Sequence, residues 1–99
     1  MSKYERADFY AKLIEILKDA HTQGKPSKCI KAGELHDSVV APEDSYKKTG
    51  NHCVPKVCGV MWDLESRQNG KATVIYEPKN HLKQGARLEI EFDTADLPE

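Results

Sequence analysis

The chain has 99 residues, 38% of them apolar and 31% charged, with a formal charge of −1 and a mean hydropathy of −0.68. That length makes one domain, with a core for two or three helices and a small sheet and little room for a deep catalytic cleft. The composition excludes a disordered chain, no apolar run nears the roughly 20 residues of a membrane span, and the polar start, Met1 to Arg6, lacks a signal peptide's apolar segment. Three cysteines without a disulfide-framework spacing point to reduced thiols, so a cytoplasmic protein is expected.

The first predicted element is a helix. Ser2 and Glu5 have capping-box spacing, and Phe9, Leu13, Ile16, Leu17 and Ala20 follow at helical intervals, with Tyr10 and Ile14 widening the apolar face. Gly24 and Pro26 should end it. Next, Ile30, Leu35, Val39 and Val40 suit a short strand or turn and then a short helix, closed by Pro42. Residues 41–51 read as a loop with a Gly50-Asn51 turn.

A second long helix is predicted to start near Cys53, with Pro55 in its first turn and Val54, Val57, Met61 and Leu64 as its buried stripe. Cys58 and Val60 flank that stripe, and Asn69-Gly70 marks a turn. The period then changes to two. Ala72, Val74 and Tyr76 alternate with Thr73 and Ile75, and Leu88, Ile90 and Phe92 with Arg87, Glu89 and Glu91. These runs predict a β-hairpin around a polar loop, Pro78–Gly85, and an acidic tail from Asp93 to Glu99 is expected to fray.

The near-zero net charge hides a strongly divided chain. All sixteen carboxylates lie outside three windows, Ala20–Gly33, Ser45–Trp62 and Pro78–Leu88. Those windows hold Lys25, Lys28 and Lys31, then Lys47, Lys48 and Lys56, then Lys79, Lys83 and Arg87. Brought together, they would make a cationic face suited to phosphates, with an acidic back.

The element order, with Ala32-Gly33-Glu34-Leu35 ahead of the second helix and Val54-Pro55-Lys56-Val57 opening the third, resembles the winged helix-turn-helix superfamily over roughly residues 5 to 93. The resemblance implies one small α+β domain of three helices with a C-terminal β-hairpin wing. It also implies that the third helix enters the major groove, so that Asn51, His52, Lys56 and Gly59 approach DNA, with Lys79, Asn80, His81 and Lys83 at the wing tip. The residues agree in part. A 100° step sets His52, Pro55, Lys56, Gly59, Asp63 and Ser66 opposite the buried stripe, and the helix N-terminus with Lys47, Lys48 and Lys56 suits phosphate. Asp63 shares that face, and Arg87 alone supplies arginine in the windows, so low sequence specificity is expected.

Other chemistry has weaker support. Cys29, His36, His52, Cys53 and Cys58 are metal-ligand types, yet no Cys-x-x-Cys or paired-histidine spacing exists, and Cys53 and Cys58 would point about 140° apart on one helix. Asp63 with Glu77-Pro78-Lys79 faintly resembles a metal-dependent nuclease pattern, but Pro78 falls in the strand that pattern requires. The expectation is a non-enzymatic protein without cofactor or metal that binds double-stranded DNA as a regulator or accessory factor. The rival expectation is a protein–protein module of the same fold, docking through its basic face or through Glu89, Glu91, Asp93 and Asp96. Neither reading involves a membrane, and oligomeric state stays open.

Overall fold

The computed structural model describes residues 4–40, 54–79, 85, 87–95 and 97. In chain order these form α1 (Arg6–Thr22), β1 (Ser27–Lys31), α2 (Ala32–Val39), α3 (Val54–Arg67), β2 (Thr73–Tyr76) and β3 (Glu89–Asp93). The domain is α+β, with three helices among the described residues and an antiparallel sheet in the order β1-β3-β2.

α1 starts from a different cap than the Ser2–Glu5 spacing suggests. Glu5 is itself the N-cap, in extended conformation, and its N–H donates to Asp8 Oδ2 at 2.9 Å. An extended backbone at Glu5 is incompatible with a place inside the first helical turn, and Ser2 lies outside the described residues. At the other end Gly24 takes φ +83°, its N–H donating to His21 O and that of Lys25 to Ala20 O. This is a Schellman closure, and the left-handed residue in it favours glycine.

Phe9, Leu13, Leu17 and Ala20 give α1 its buried face, while Ile16 packs partly buried beside them. β1 runs straight into α2, so Ala32 and Gly33 belong to the first turn of α2 rather than preceding it. The Ala32 N–H donates to Leu88 O at 2.8 Å, extending the sheet contact to the first residue of the helix. α3 buries Val54, Val57, Cys58, Val60, Met61 and Leu64. The stripe is broader than a four-residue seam because α3 packs on α1, α2 and β3 at once.

β3 is the middle strand, with Ile90 and Phe92 inward and fully buried, as is Leu88 just before it. Thr73 opposes Glu91 and Val74 opposes Ile90, but Tyr76, not Ile75, opposes Glu89. Ile75 is therefore an extra residue in a β-bulge, which breaks the two-residue alternation. Ala72 is buried and Val74 packs on the core as expected. Tyr76, expected inward, is 41% exposed and Ile75 is 51% exposed.

Of the acidic tail expected to fray from Asp93 to Glu99, residues 96, 98 and 99 lie outside the described residues, and the start of the tail is tied to the fold. Asp93 closes β3, and Thr94 is buried, its hydroxyl donating to Lys25 O and its N–H to Pro26 O. Leu97 packs partly buried against the core. None of the described helices is long and apolar enough to cross a membrane.

Candidate nucleic-acid interface

The outward side of α3 is not bare, because the start of α1 lies along it. Lys56 is half-buried and its Nζ donates to the Tyr4 carbonyl at 2.7 Å. One turn on, Arg6 lies over Gly59: a Cβ added there would sit 2.9 Å from Arg6 Nη2 and 3.2 Å from its Cζ. One further turn on, Arg6 Nη2 donates to Asp63 Oδ2 at 2.9 Å, with both side chains more than half exposed. The glycine costs about 1 kcal/mol of helix propensity, and an exposed ion pair returns about 0–1 kcal/mol. Stability alone gives little reason for this arrangement.

Beside it, Arg6, Ala7, Tyr10, Val60, Asp63 and Arg67 line a cavity of about 220 Å³. The Arg67 guanidinium carbon stands 6.0 Å from the centre of the Tyr10 ring, within cation–π range. The Tyr10 hydroxyl is buried with no hydrogen-bond partner among the described residues. Trp62 is partly buried against the core.

The base of the β2–β3 hairpin is clasped to α3 by Cys58. Its thiol donates to Gly85 O at 3.4 Å, and the Gly85 N–H donates to Cys58 Sγ at 3.3 Å. Burial pushes the Cys58 thiol above its ordinary value, while the Gly85 hydrogen bond pulls the other way. The clasp sets the return limb of the hairpin next to α3, with Lys79 and Arg87 both exposed at the hairpin's base. Asn80, His81 and Lys83 lie outside the described residues, as do Lys47, Lys48, Asn51 and His52. Of the ten expected contact residues, the structure thus locates Lys56, Gly59 and Lys79, the first two on one helix face.

The outer face of the sheet has the opposite character. Glu89, Glu91 and Asp93 line its middle strand, opposite Lys31, Cys29 and Ser27 of β1. Lys31 therefore stands against Glu89, so that part of the first basic window faces acid rather than joining α3. Ser27 Oγ donates to Glu91 Oε2 at 3.1 Å. Slight desolvation, then the Glu91 and Glu89 carboxylates, push the exposed Cys29 thiol above its ordinary value. Among the described residues no three His, Cys, Asp or Glu side chains group as metal ligands.

Sequence reasoning gave α1 no chemistry and so missed Arg6. The signal was present: Gly59 and Asp63 are four apart, a missing side chain followed one turn later by an acid, which suits a basic group laid along the helix. Comparison with protein-family models, with curated proteins and with solved structures gives no match.

Proposed function

We propose that the chain is a winged-helix domain that binds duplex DNA through α3 and the β2–β3 hairpin, as a regulator or accessory factor. The observation that carries this reading is the element order with the strand order β1-β3-β2. Such an order hangs the hairpin from the end of the sheet, and the Cys58–Gly85 clasp keeps its base beside α3. Charge supports the same side. Arg6, Lys56 and Arg67 accompany Asp63 there, with Lys79 and Arg87 at the wing base, whereas the outer sheet face is lined by Glu89, Glu91 and Asp93. In this reading Lys47, Lys48, Asn51, His52, Lys56, Gly59, Lys79, Asn80, His81 and Lys83 are the contacts, mostly to phosphates, and sequence specificity is low.

The test is fluorescence anisotropy with a mixed-sequence duplex across a salt series. Affinity should fall with a log–log slope of about 0.9 for each phosphate contacted. Replacing Lys47, Lys48, Lys56, Lys79 and Lys83 together by glutamate should abolish binding. No binding at low salt, or binding that survives those five changes, would remove the reading.

A second reading rests on β2 as an edge strand among the described residues, where Ile75 and Tyr76 are exposed large apolar side chains. An edge strand offers unpaired backbone groups to a partner's strand. A protein partner docking there would be blocked by Ile75→Lys and indifferent to the five lysines, which separates the two readings.

A further inference from the structure

The windows rich in lysine leave the proposed DNA-facing helix short of the side chain best suited to grip phosphate. We infer that Arg6, delivered from α1, is the phosphate-binding arginine of the α3 surface, with Gly59 as its seat and Asp63 as its positioning residue. The inference rests on the DNA-binding reading above and adds to it a residue outside all three basic windows.

The geometry is specific. The guanidinium lies so close to the α3 backbone at Gly59 that an alanine methyl there would collide with it, at 2.9 Å from Nη2. Asp63 accepts one hydrogen bond from Nη2. A guanidinium has five N–H groups, so a single bond to one carboxylate oxygen leaves donors for a second anion. The Arg6 side chain is 55% exposed, which gives that anion access. Lying along the helix rather than standing out from it, the group meets the sugar–phosphate wall of a groove and not the base edges.

The same arrangement resolves the difficulty posed by Asp63. An aspartate on a DNA-facing helix repels phosphate, but here its charge is opposed by Arg6 at contact distance and spent on orienting it. The Lys56 ammonium bound to the Tyr4 carbonyl fixes the chain just before Arg6 against the same helix. Removing the side chain at position 59 leaves the space in which the cation lies. A mid-helix glycine and an exposed ion pair do little for the fold, and they have a purpose if the charge is being held for a ligand.

The experiment is the same duplex titration over a salt series, run with the full chain and with Arg6→Gln, Gly59→Ala and the exchange Arg6→Asp/Asp63→Arg. Arg6→Gln should weaken binding about tenfold at low salt and flatten the log–log slope by about 0.9, the share of one phosphate contact. Gly59→Ala should raise thermal stability or leave it unchanged while weakening duplex binding, because the methyl displaces the guanidinium. The exchange variant, which keeps a cation at this place, should recover the wild-type slope. If the wild type binds and Arg6→Gln keeps both its affinity and its slope, the inference falls while the DNA reading stands. Loss of affinity with an unchanged slope would mark a purely structural role and also overturn it. A wild type that does not bind the duplex at any salt removes the DNA reading and this inference together. Polyglutamate binding as tight as the duplex would show a general anion surface and overturn the assignment to phosphate.

Discussion

Gln68 and Asp93 exchange two hydrogen bonds, the Gln68 Nε2 donating to the Asp93 carbonyl at 2.9 Å and the Asp93 N–H donating to Gln68 Oε1 at 3.0 Å. Gln68 follows directly on α3 and is 1% exposed. β2 begins only at Thr73, opposite Glu91, so no β2 residue is in register with Asp93. The side-chain amide acts there as a substitute strand residue, satisfying a donor and an acceptor that the short strand leaves open.

Gln68→Ala should therefore cost about 1–3 kcal/mol in denaturant unfolding, since two part-buried backbone groups lose these hydrogen bonds. Gln68→Glu offers no donor at neutral pH and sets a carboxylate against a carbonyl, so it should cost at least as much. Its folded-state pKa would be raised, and protonation restores the missing donor. The variant should regain stability relative to Gln68→Ala as pH falls through the carboxylate range. Equal losses at every pH would show that the two hydrogen bonds are not what Gln68 contributes.

Leu13 lies fully buried at the centre of α1, in the same core cluster as Leu35, Met61, Leu64 and Phe92. Leu13→Ala should destabilise by about 2–5 kcal/mol, the range for a cavity that a small core closes only in part. Thermal or urea unfolding measures it, and a loss under about 1 kcal/mol would contradict the packing.

Tyr10→Phe should go the other way. It removes a buried hydroxyl that has no partner among the described residues while keeping the ring under Arg67. Deleting an unsatisfied polar atom is neutral or stabilising by about 1 kcal/mol. A clear destabilisation in the same unfolding assay would mean that the hydroxyl is bonded in solution.

The two described thiols should react in a fixed order. Cys29 is exposed and Cys58 is fully buried, and both are pushed above the ordinary thiol value. Peptide-resolved alkylation should label Cys29 first but slowly for an exposed cysteine, and Glu91→Gln should speed it a few-fold by removing a carboxylate that opposes the thiolate. For Cys58 the native state holds the thiol proton more tightly than the unfolded chain does. Its contribution to stability is thus full below the ordinary thiol value and is lost as pH rises through the folded one. Cys58 labelling ahead of Cys29 would show the hairpin base to be open.

Much of the fold was legible because period and burial coincide. Phe9, Leu13 and Leu17 in α1, Val57, Met61 and Leu64 in α3, and Leu88, Ile90 and Phe92 at β3 all keep the spacing of their element and are all buried. What escaped depends on partners distant in sequence. The exposure of Tyr76 follows from a bulge defined only by pairing with β3, which local alternation does not register. By residue type Ser2–Glu5 is the better capping box, and only the extended backbone at Glu5 shows that Glu5–Asp8 is the pair used. The Gly59–Asp63 spacing hinted at a basic group along α3, but not at which one, because Arg6 lies 57 residues before its partner Asp63.

The position of β3 has a consequence for how the chain comes to be folded. β1 and β2 both pair with β3 and are not neighbours, while the Ala32 amide at the start of α2 is bonded to Leu88 just before it. A ribosome supplies the flanking strands first and the strand that joins them last. Until residues 88–94 have emerged, β1 and β2 lack the strand that pairs with both, and the apolar face of α3 lacks its contact with β3. Completion of the sheet therefore waits on its last strand, and an interruption of synthesis shortly before it would leave β1 and β2 without their shared partner.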